Sequence, residues 1–149
     1  MDAEADRLAA EEDAAWVELH TAFEQVPPDR FEEPALTPDG WSPKDSMFHV
    51  AAWCAEAAIQ LERMRMGTYV DPLLDTEVQN REWLEISKGL DVPTVKAELH
   101  AARTRMRQEW CALCELGHPT PDAVEWFEES GHFHYGGHCQ ELLTWLTGG

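Results

Sequence analysis

The sequence predicts an all-α protein, a four-helix bundle of the up-down type, on three observations. Apolar residues recur at spacings of three and four along most of the chain. Alternating runs of β-branched residues, which are typical of strands, are few. Glycine and proline residues separate the periodic stretches, where they end helices and form loops. We therefore expect four long helices, with a short extra helix between the second and third, in one domain spanning residues 1–149.

The first predicted helix runs from Ala3 to Gln25 and is stopped by Pro27 and Pro28. One face is apolar and is expected to pack against the core, whereas the other is acidic and is expected to face solvent. The apolar stripe is Leu8, Ala15, Trp16, Leu19, Ala22, Phe23 and Val26. The acidic face is Glu11, Glu12, Asp13, Glu18 and Glu24.

The second predicted helix runs from Pro43 to Met66 after a proline-rich loop. Its start is well marked, because Ser42 is a good N-cap, proline suits the first helical position, and Asp45 can accept from free amides. Gly67 ends it. The side chains expected to be buried are Phe48, Ala51, Ala52, Ala55, Ala58, Ile59 and Met66.

The remaining helices are shorter or less clearly bounded. The short helix covers 75–88 and stops at Gly89, and the third long helix covers 93–116 and stops at Gly117. The last helix begins near Pro121 or near Ser130 and ends near Leu146. The apolar face of the third helix is Val95, Leu99, Ala102, Met106, Trp110, Leu113 and Leu116.

The charge balance excludes several classes of partner. The formal net charge is −18, and a surface this acidic repels nucleic-acid phosphates and anionic membranes. No apolar run approaches the roughly 18 residues that a membrane span needs. The first sixteen residues are acidic and lack the apolar segment of a secretory signal. We therefore expect a soluble cytoplasmic protein that acts on a small molecule.

Three histidines form a candidate metal site. His134 and His138 are four residues apart, so a helix places both imidazoles on one face, although this spacing alone more often marks a solvated or core-edge pair. His49 lies among apolar residues of the second helix, where a lone histidine is more often a hydrogen-bonded core residue. Neighbouring helices in a bundle would bring the three together, however. Three neutral imidazoles with open positions suit Zn, Ni or Fe, and such a site lowers the pKa of a bound water or holds a thiolate.

Two glycines lie between the paired histidines. Gly136 and Gly137 weaken a helix by about 2 kcal/mol together, relative to alanine. One interpretation is that they let a ligand or another helix approach the backbone closely. The other is that they are ordinary helix positions.

Other polar residues are weaker candidates. Tyr135 points about 100° away from His134 around the helix, so its phenol either donates into a pocket, donates to a neighbouring helix, or packs with its hydroxyl at the surface. We retain it as a weak catalytic candidate. His132 is a substitute ligand only if the chain there is not helical. Asn80 either reaches the mouth of a pocket or lies on a helix surface.

The four cysteines are expected to be reduced thiols. Cys111 and Cys114 form a Cys-x-x-Cys pair, which fits a redox pair or half of a zinc site. Since the pair lies within a helix and no second pair exists, small buried thiols on a core face are favoured. Cys139 follows His138 directly and is a weak candidate for activation by a nearby metal.

Three stretches of sequence resemble the DinB-like superfamily. The stretch GWSPKDSMFHVAAW is similar to its second-helix signature, in which a histidine is followed four residues later by tryptophan. That superfamily includes the mycothiol-dependent maleylpyruvate isomerase group. The stretch SGHFHYGGHCQELLTWL resembles the last helix of its colibactin self-protection (ClbS/DfsB) branch, which has His-Tyr-x-x-His before Trp-Leu. The middle of the chain, NREWLEISKGLDVPTVKAELHAARTRM, is also similar to that branch.

The resemblance implies a four-helix bundle with a pocket at one end. Many members bind a divalent metal through three histidines, which correspond by motif to His49, His134 and His138 here. Some members use a low-molecular-weight thiol (mycothiol, bacillithiol or glutathione), and the self-protection branch detoxifies a reactive small molecule. The resemblance also allows a homodimer. The branch often has glutamate before the second histidine, where this chain has Gly137, and this puts an acid role there in doubt.

Two functions of different classes follow. The first is a metal-dependent enzyme that acts on a small electrophile by thiol transfer, isomerisation or hydrolytic detoxification. The second is a protein that binds and sequesters a small molecule in the same pocket without turnover. The sequence names neither the substrate nor the reaction.

Overall fold

The protein is all-helical in the computed structural model, which describes residues 2–148 and contains no strand in that range. This confirms the predicted all-α class. The elements are α1 (Ala3–Glu24), a 3₁₀ turn (Pro28–Arg30), α2 (Pro43–Arg65), α3 (Thr76–Lys88), α4 (Val92–Glu115), α5 (Pro121–Ser130) and α6 (His132–Leu146).

Helix α2 is the organising element. It packs most extensively against α4 and also contacts α3, α5 and α6, while α1 packs mainly against α6. The core between them contains Trp110 of α4, whose ring stacks on Phe127 of α5 at 4.2 Å between centroids. The Trp110 indole N–H is satisfied by the backbone carbonyl of Ala5 in α1, at 3.3 Å. Three helices are thus joined at one buried aromatic pair.

The predicted start of α2 is confirmed and is tied to two other segments. Ser42 and Asp45 form a reciprocal capping box, in which each side chain accepts from the other's backbone amide. Asp45 also accepts from the Ser87 hydroxyl of α3 at 2.8 Å. The buried Lys44 ammonium donates to Glu32 and to the carbonyl of Leu90. These bonds fix the register of α2 and hence the position of His49, one to two turns further on.

The region predicted as one last helix is two helices that meet at Gly131. Helix α5 ends at Ser130, and α6 begins at His132 without a side-chain cap. A Cβ built on Gly131 would lie 2.5 Å from the Phe127 carbonyl oxygen and 3.3 Å from Glu12 Cγ. Only glycine fits this contact without a shift of the backbone. Both predicted starts therefore mark real helices, and α6 alone carries His134 and His138.

The acidic face predicted for the first helix is wrong at one position. Glu12 is completely buried, because it faces α4 and α6 rather than solvent. Its carboxylate accepts from Arg103 at 2.8 and 3.0 Å, from Arg107 at 2.7 Å and from the Tyr135 hydroxyl at 2.8 Å. Asp13 stays exposed and pairs with Arg103 from outside. A buried ion network therefore joins α1, α4 and α6.

The apolar faces predicted for the first and third long helices are mostly buried. The set predicted for the second helix is largely wrong: Phe48, Ala52, Ala55 and Ile59 are half-buried, because the buried face of α2 instead includes Met47, Val50, Cys54, Ala57 and Leu61. Leu116 is 70% exposed and Met66 is 64% exposed, since each directly follows the last residue of its helix. No helix in residues 2–148 is both long and apolar enough to cross a membrane.

Candidate metal centre

Three imidazoles from two helices converge on one point. The Nε2 atom of His134 lies 2.9 Å from Nε2 of His49 and 3.0 Å from Nε2 of His138. One ring nitrogen of each lies within 4.8 Å of the others. The i, i+4 spacing on α6 aligns two of the rings, and packing of α2 against α6 supplies the third. The structure thus brings together the three histidines that the sequence singles out.

Hydrogen bonding alone does not satisfy these contacts. A ring nitrogen of a neutral imidazole either carries a proton or offers a lone pair, but does not do both. Nε2 of His134 therefore has at most one proton to share between two nitrogens that are both within hydrogen-bond distance. A cation at the centre would satisfy all three lone pairs at once.

The burial of the site keeps the imidazoles neutral. Burial lowers the pKa of His49 to about 3, with a smaller contribution from His138. Burial likewise lowers the pKa of His134 to about 2, assisted by the two neighbouring rings. The pKa of His138 is also lowered by burial, although the Glu141 carboxylate opposes this. Neutral imidazole is the form that ligates a metal.

The far side of each ring differs in its surroundings. Nδ1 of His138 faces Ser46 Oγ at 3.4 Å and Glu141 Oε1 at 3.5 Å, and both distances are long for hydrogen bonds. The Nδ1 atoms of His49 and His134 are buried and have no hydrogen-bond partner among the described residues. Trp41 packs edge-on against the His49 ring, with 5.0 Å between centroids.

A cavity of about 420 Å³ opens beside His49 and His134. Helices α2, α3 and α5 and the loop before α3 supply its walls, which combine aromatic, amide, hydroxyl and carboxylate side chains. This size accommodates a small organic molecule next to the imidazoles. The remaining lining residues are Trp53, Tyr69, Asp71, Thr76, Asn80, Asp122, Glu125, Trp126, Glu129 and Ser130.

Asn80 lies in the cavity wall, and its side chain accepts a hydrogen bond from the Trp53 indole at 2.8 Å. Of the two predicted positions, the structure shows the one at the pocket. One face of α2 serves both the centre and the cavity, because its residues there are spaced by three and four. Ser46 contacts His138, His49 belongs to the centre, and Trp53 lines the cavity. That spacing is readable in the sequence, and Trp53 is the tryptophan of the second-helix signature, but no motif marks Ser46.

His132 lies outside the centre. Its Nε2 atom is 3.7 Å from Glu11 and 3.8 Å from Glu128, and these three residues form a separate, looser group. A further group at the surface combines Asp2, Glu4 and His118. The sequence preference for His134 and His138 over His132 agrees with this placement.

Tyr135 lies on the other side of α6, as its position in the helix predicts. Its ring is completely buried and its hydroxyl donates to Glu12, so it takes the alternative of bonding to a neighbouring helix. Burial, with the neighbouring Cys54 and Glu12, raises the pKa of Tyr135 well above its ordinary value. The hydroxyl is outside the cavity lining, and the weak catalytic role predicted for it rests on no contact with the centre.

The cysteines are free thiols, as expected. Burial raises the pKa of Cys54 to about 12 and that of Cys114 to about 11. Burial, with a contribution from Glu18, also raises the pKa of Cys139, which is the opposite of the activation considered for it. The favoured interpretation of the Cys111–Cys114 pair, small thiols on a core face, agrees with the burial of Cys114.

Gly136 and Gly137 are exposed positions of α6. A Cβ on either would meet no atom within 4 Å, so another helix does not approach there. The close approach predicted for them belongs instead to Gly131.

Comparisons with family models, curated proteins and solved structures give no match to the chain.

Proposed function

We propose that the protein is a metal-dependent enzyme of the DinB-like type, an up-down four-helix bundle that acts on a small electrophile. The reaction class is thiol-dependent transfer, isomerisation or hydrolytic detoxification. The observation that carries the proposal is the convergence beside a cavity of three Nε2 atoms, from the buried His49 and the half-buried His134 and His138.

The distances support a divalent metal. In an octahedral site, two nitrogens about 2.1 Å from one ion and about 90° apart lie about 3.0 Å from each other, whereas the tetrahedral angle usual for zinc separates them by about 3.4 Å. The two Nε2–Nε2 distances, 2.9 and 3.0 Å, agree with the octahedral separation. Three nitrogen ligands from the protein leave positions for exogenous ligands, and Zn, Ni and Fe all accept such a set.

The surrounding residues have distinct roles in this proposal. His49, His134 and His138 hold the metal, which would supply Lewis-acid polarisation of a substrate or a thiol. Ser46 and Glu141 lie on the far side of the His138 ring, where they restrict its orientation. Trp41 covers one edge of His49 and limits access of water. The cavity holds the organic substrate against the two imidazoles that line it.

Sequestration without turnover is the second candidate. It is favoured by the cavity itself, whose walls present two indole rings and which has room for a whole small molecule. No cysteine is among the described residues that line the cavity, and burial raises the pKa of Cys54, Cys114 and Cys139 elsewhere in the protein.

Turnover distinguishes the two functions. Wild-type protein loaded with Zn, Ni or Fe is incubated with a panel of electrophiles, with and without low-molecular-weight thiols, and products are identified by mass spectrometry. We expect a metal-dependent product whose rate falls by about two orders of magnitude or more in the His134→Ala, His138→Ala variant. The matched control, His132→Ala, lies on the same helix outside the centre and should keep the rate. Unchanged ligand bound stoichiometrically would favour sequestration, and metal-independent turnover would contradict the enzyme proposed.

A further inference from the structure

We infer that the cavity beside the histidine centre binds a small organic cation with an apolar body. This inference rests on the proposed function and deepens it, because it names the class of substrate. The evidence is the size of the cavity together with its charge and aromatic content, and the last two come from residues other than the metal ligands.

The cavity wall carries an uncompensated negative charge. Four carboxylates line it, and no lysine or arginine does. Asp71, Asp122, Glu125 and Glu129 form no ion pair within 4 Å among residues 2–148. Their charge exceeds that of a divalent metal held by the three imidazoles.

Two tryptophans supply the apolar and aromatic part of the wall. The Trp53 indole N–H is bonded to Asn80 at 2.8 Å, and that of Trp126 to the Tyr69 hydroxyl at 3.2 Å. Since wall residues already satisfy both N–H groups, the indoles offer a ligand their rings. Trp83 packs edge-on against Trp53, with 4.8 Å between the ring centroids. An indole ring attracts an ammonium or guanidinium group through its negative face.

The combination selects among ligand classes. A volume of about 420 Å³ fits a molecule of metabolite size. Phosphates and carboxylates are repelled by the wall, and a neutral apolar molecule gains no electrostatic attraction from the four exposed carboxylates. A ligand that carries an ammonium or guanidinium group on an aromatic or aliphatic body satisfies both parts of the wall.

Three probes of similar shape and different charge test the inference. Phenethylammonium, 2-phenylethanol and 3-phenylpropanoate are titrated by calorimetry into the full chain, in the metal-free and the metal-loaded forms. We expect the cation to bind about tenfold more tightly than the alcohol, and the carboxylate to bind most weakly. The preference should decrease with added salt, because the carboxylates are near the surface.

Charge-matched variants locate the effect. The Glu125→Gln, Glu129→Gln variant removes two wall carboxylates, and we expect it to weaken phenethylammonium binding by about fivefold. The Glu98→Gln, Glu115→Gln control changes the net charge equally on exposed positions of α4, outside the cavity, and should change binding by less than about twofold.

Equal affinities for the three probes, or no binding of phenethylammonium at about 10 mM, would overturn the inference. So would an equal loss in the two double variants. If the chain binds metal but shows no preference for the cation, the inference fails and the proposed function stands. If the preference is present but the chain binds no metal, the metal-dependent function fails while the cavity's specificity stands.

Discussion

Replacing Glu12 with alanine is expected to lower the free energy of unfolding by about 3–5 kcal/mol. The carboxylate is completely buried and neutralises Arg103 and Arg107, so its removal leaves two guanidinium groups without their buried partner. The Tyr135 hydroxyl also loses its acceptor inside the core. Since a domain of this size is stabilised by only about 5–15 kcal/mol, the variant should be marginally folded. Urea denaturation followed by tryptophan fluorescence measures the difference.

Asp13→Ala is the matched control. Asp13 is adjacent in sequence and also binds Arg103, but its side chain is 57% exposed, so its removal should cost at most about 1 kcal/mol. If Glu12→Ala fails to fold, Glu12→Gln serves in its place, because the amide keeps the shape and one acceptor while losing the charge. A loss below about 1 kcal/mol for Glu12→Ala would show that the network contributes little to stability.

Gly131→Ala is expected to destabilise the protein by about 1–3 kcal/mol. The new methyl group would lie 2.5 Å from the Phe127 carbonyl oxygen, so the backbone at the α5–α6 junction has to shift. Because Glu12 Cγ is 3.3 Å from the same position, the shift would also disturb the buried ion network. Thermal unfolding by circular dichroism measures the effect.

Replacing glycine with alanine should have the opposite effect on stability about a turn and a half further along α6, at Gly136 and Gly137. Gly136→Ala and Gly137→Ala place a methyl group in open space and remove the helix penalty of glycine, so each should stabilise by about 0.5–1 kcal/mol. Stabilisation by Gly131→Ala, or destabilisation by both controls, would show that the steric account of these glycines is wrong. A loss of ligand binding in a stable Gly136→Ala variant would restore a spacing role for this pair.

Much of the fold is predictable because local signals agree. The capping box at Ser42 and Asp45, the terminating glycines Gly67 and Gly89, and the apolar spacing of α4 all indicate the helices that the structure shows. The start of α6 is harder, since a close backbone contact ends α5 and no residue caps α6. Gly131 is one of several glycines, and its role depends on the helix that passes beside it.

Burial of charge is the part that local pattern misses. Glu12 lies among acidic neighbours that face solvent, and its burial depends on Arg103 and Arg107, which are about ninety residues away in sequence. The resemblance implies a pocket, and Asn80 is a candidate for its mouth, but local pattern does not predict the composition of the cavity wall, because Trp53, Asn80 and Trp126 come from three separate helices. The histidine centre could be predicted from the sequence, because helical spacing aligns two of its rings and only one contact between helices had to be inferred. Binding of a metal there stays a prediction.

Metal analysis of protein purified without a polyhistidine tag tests the central claim most directly. We expect about one Zn, Ni or Fe per wild-type chain by plasma mass spectrometry, and a loss of that metal in the His134→Ala, His138→Ala variant. His132→Ala and His118→Ala remove the only imidazole of the two other candidate groups and should leave the stoichiometry unchanged. A folded wild-type chain that is purified without metal, and that shows no saturable binding when titrated with each ion, would contradict the account.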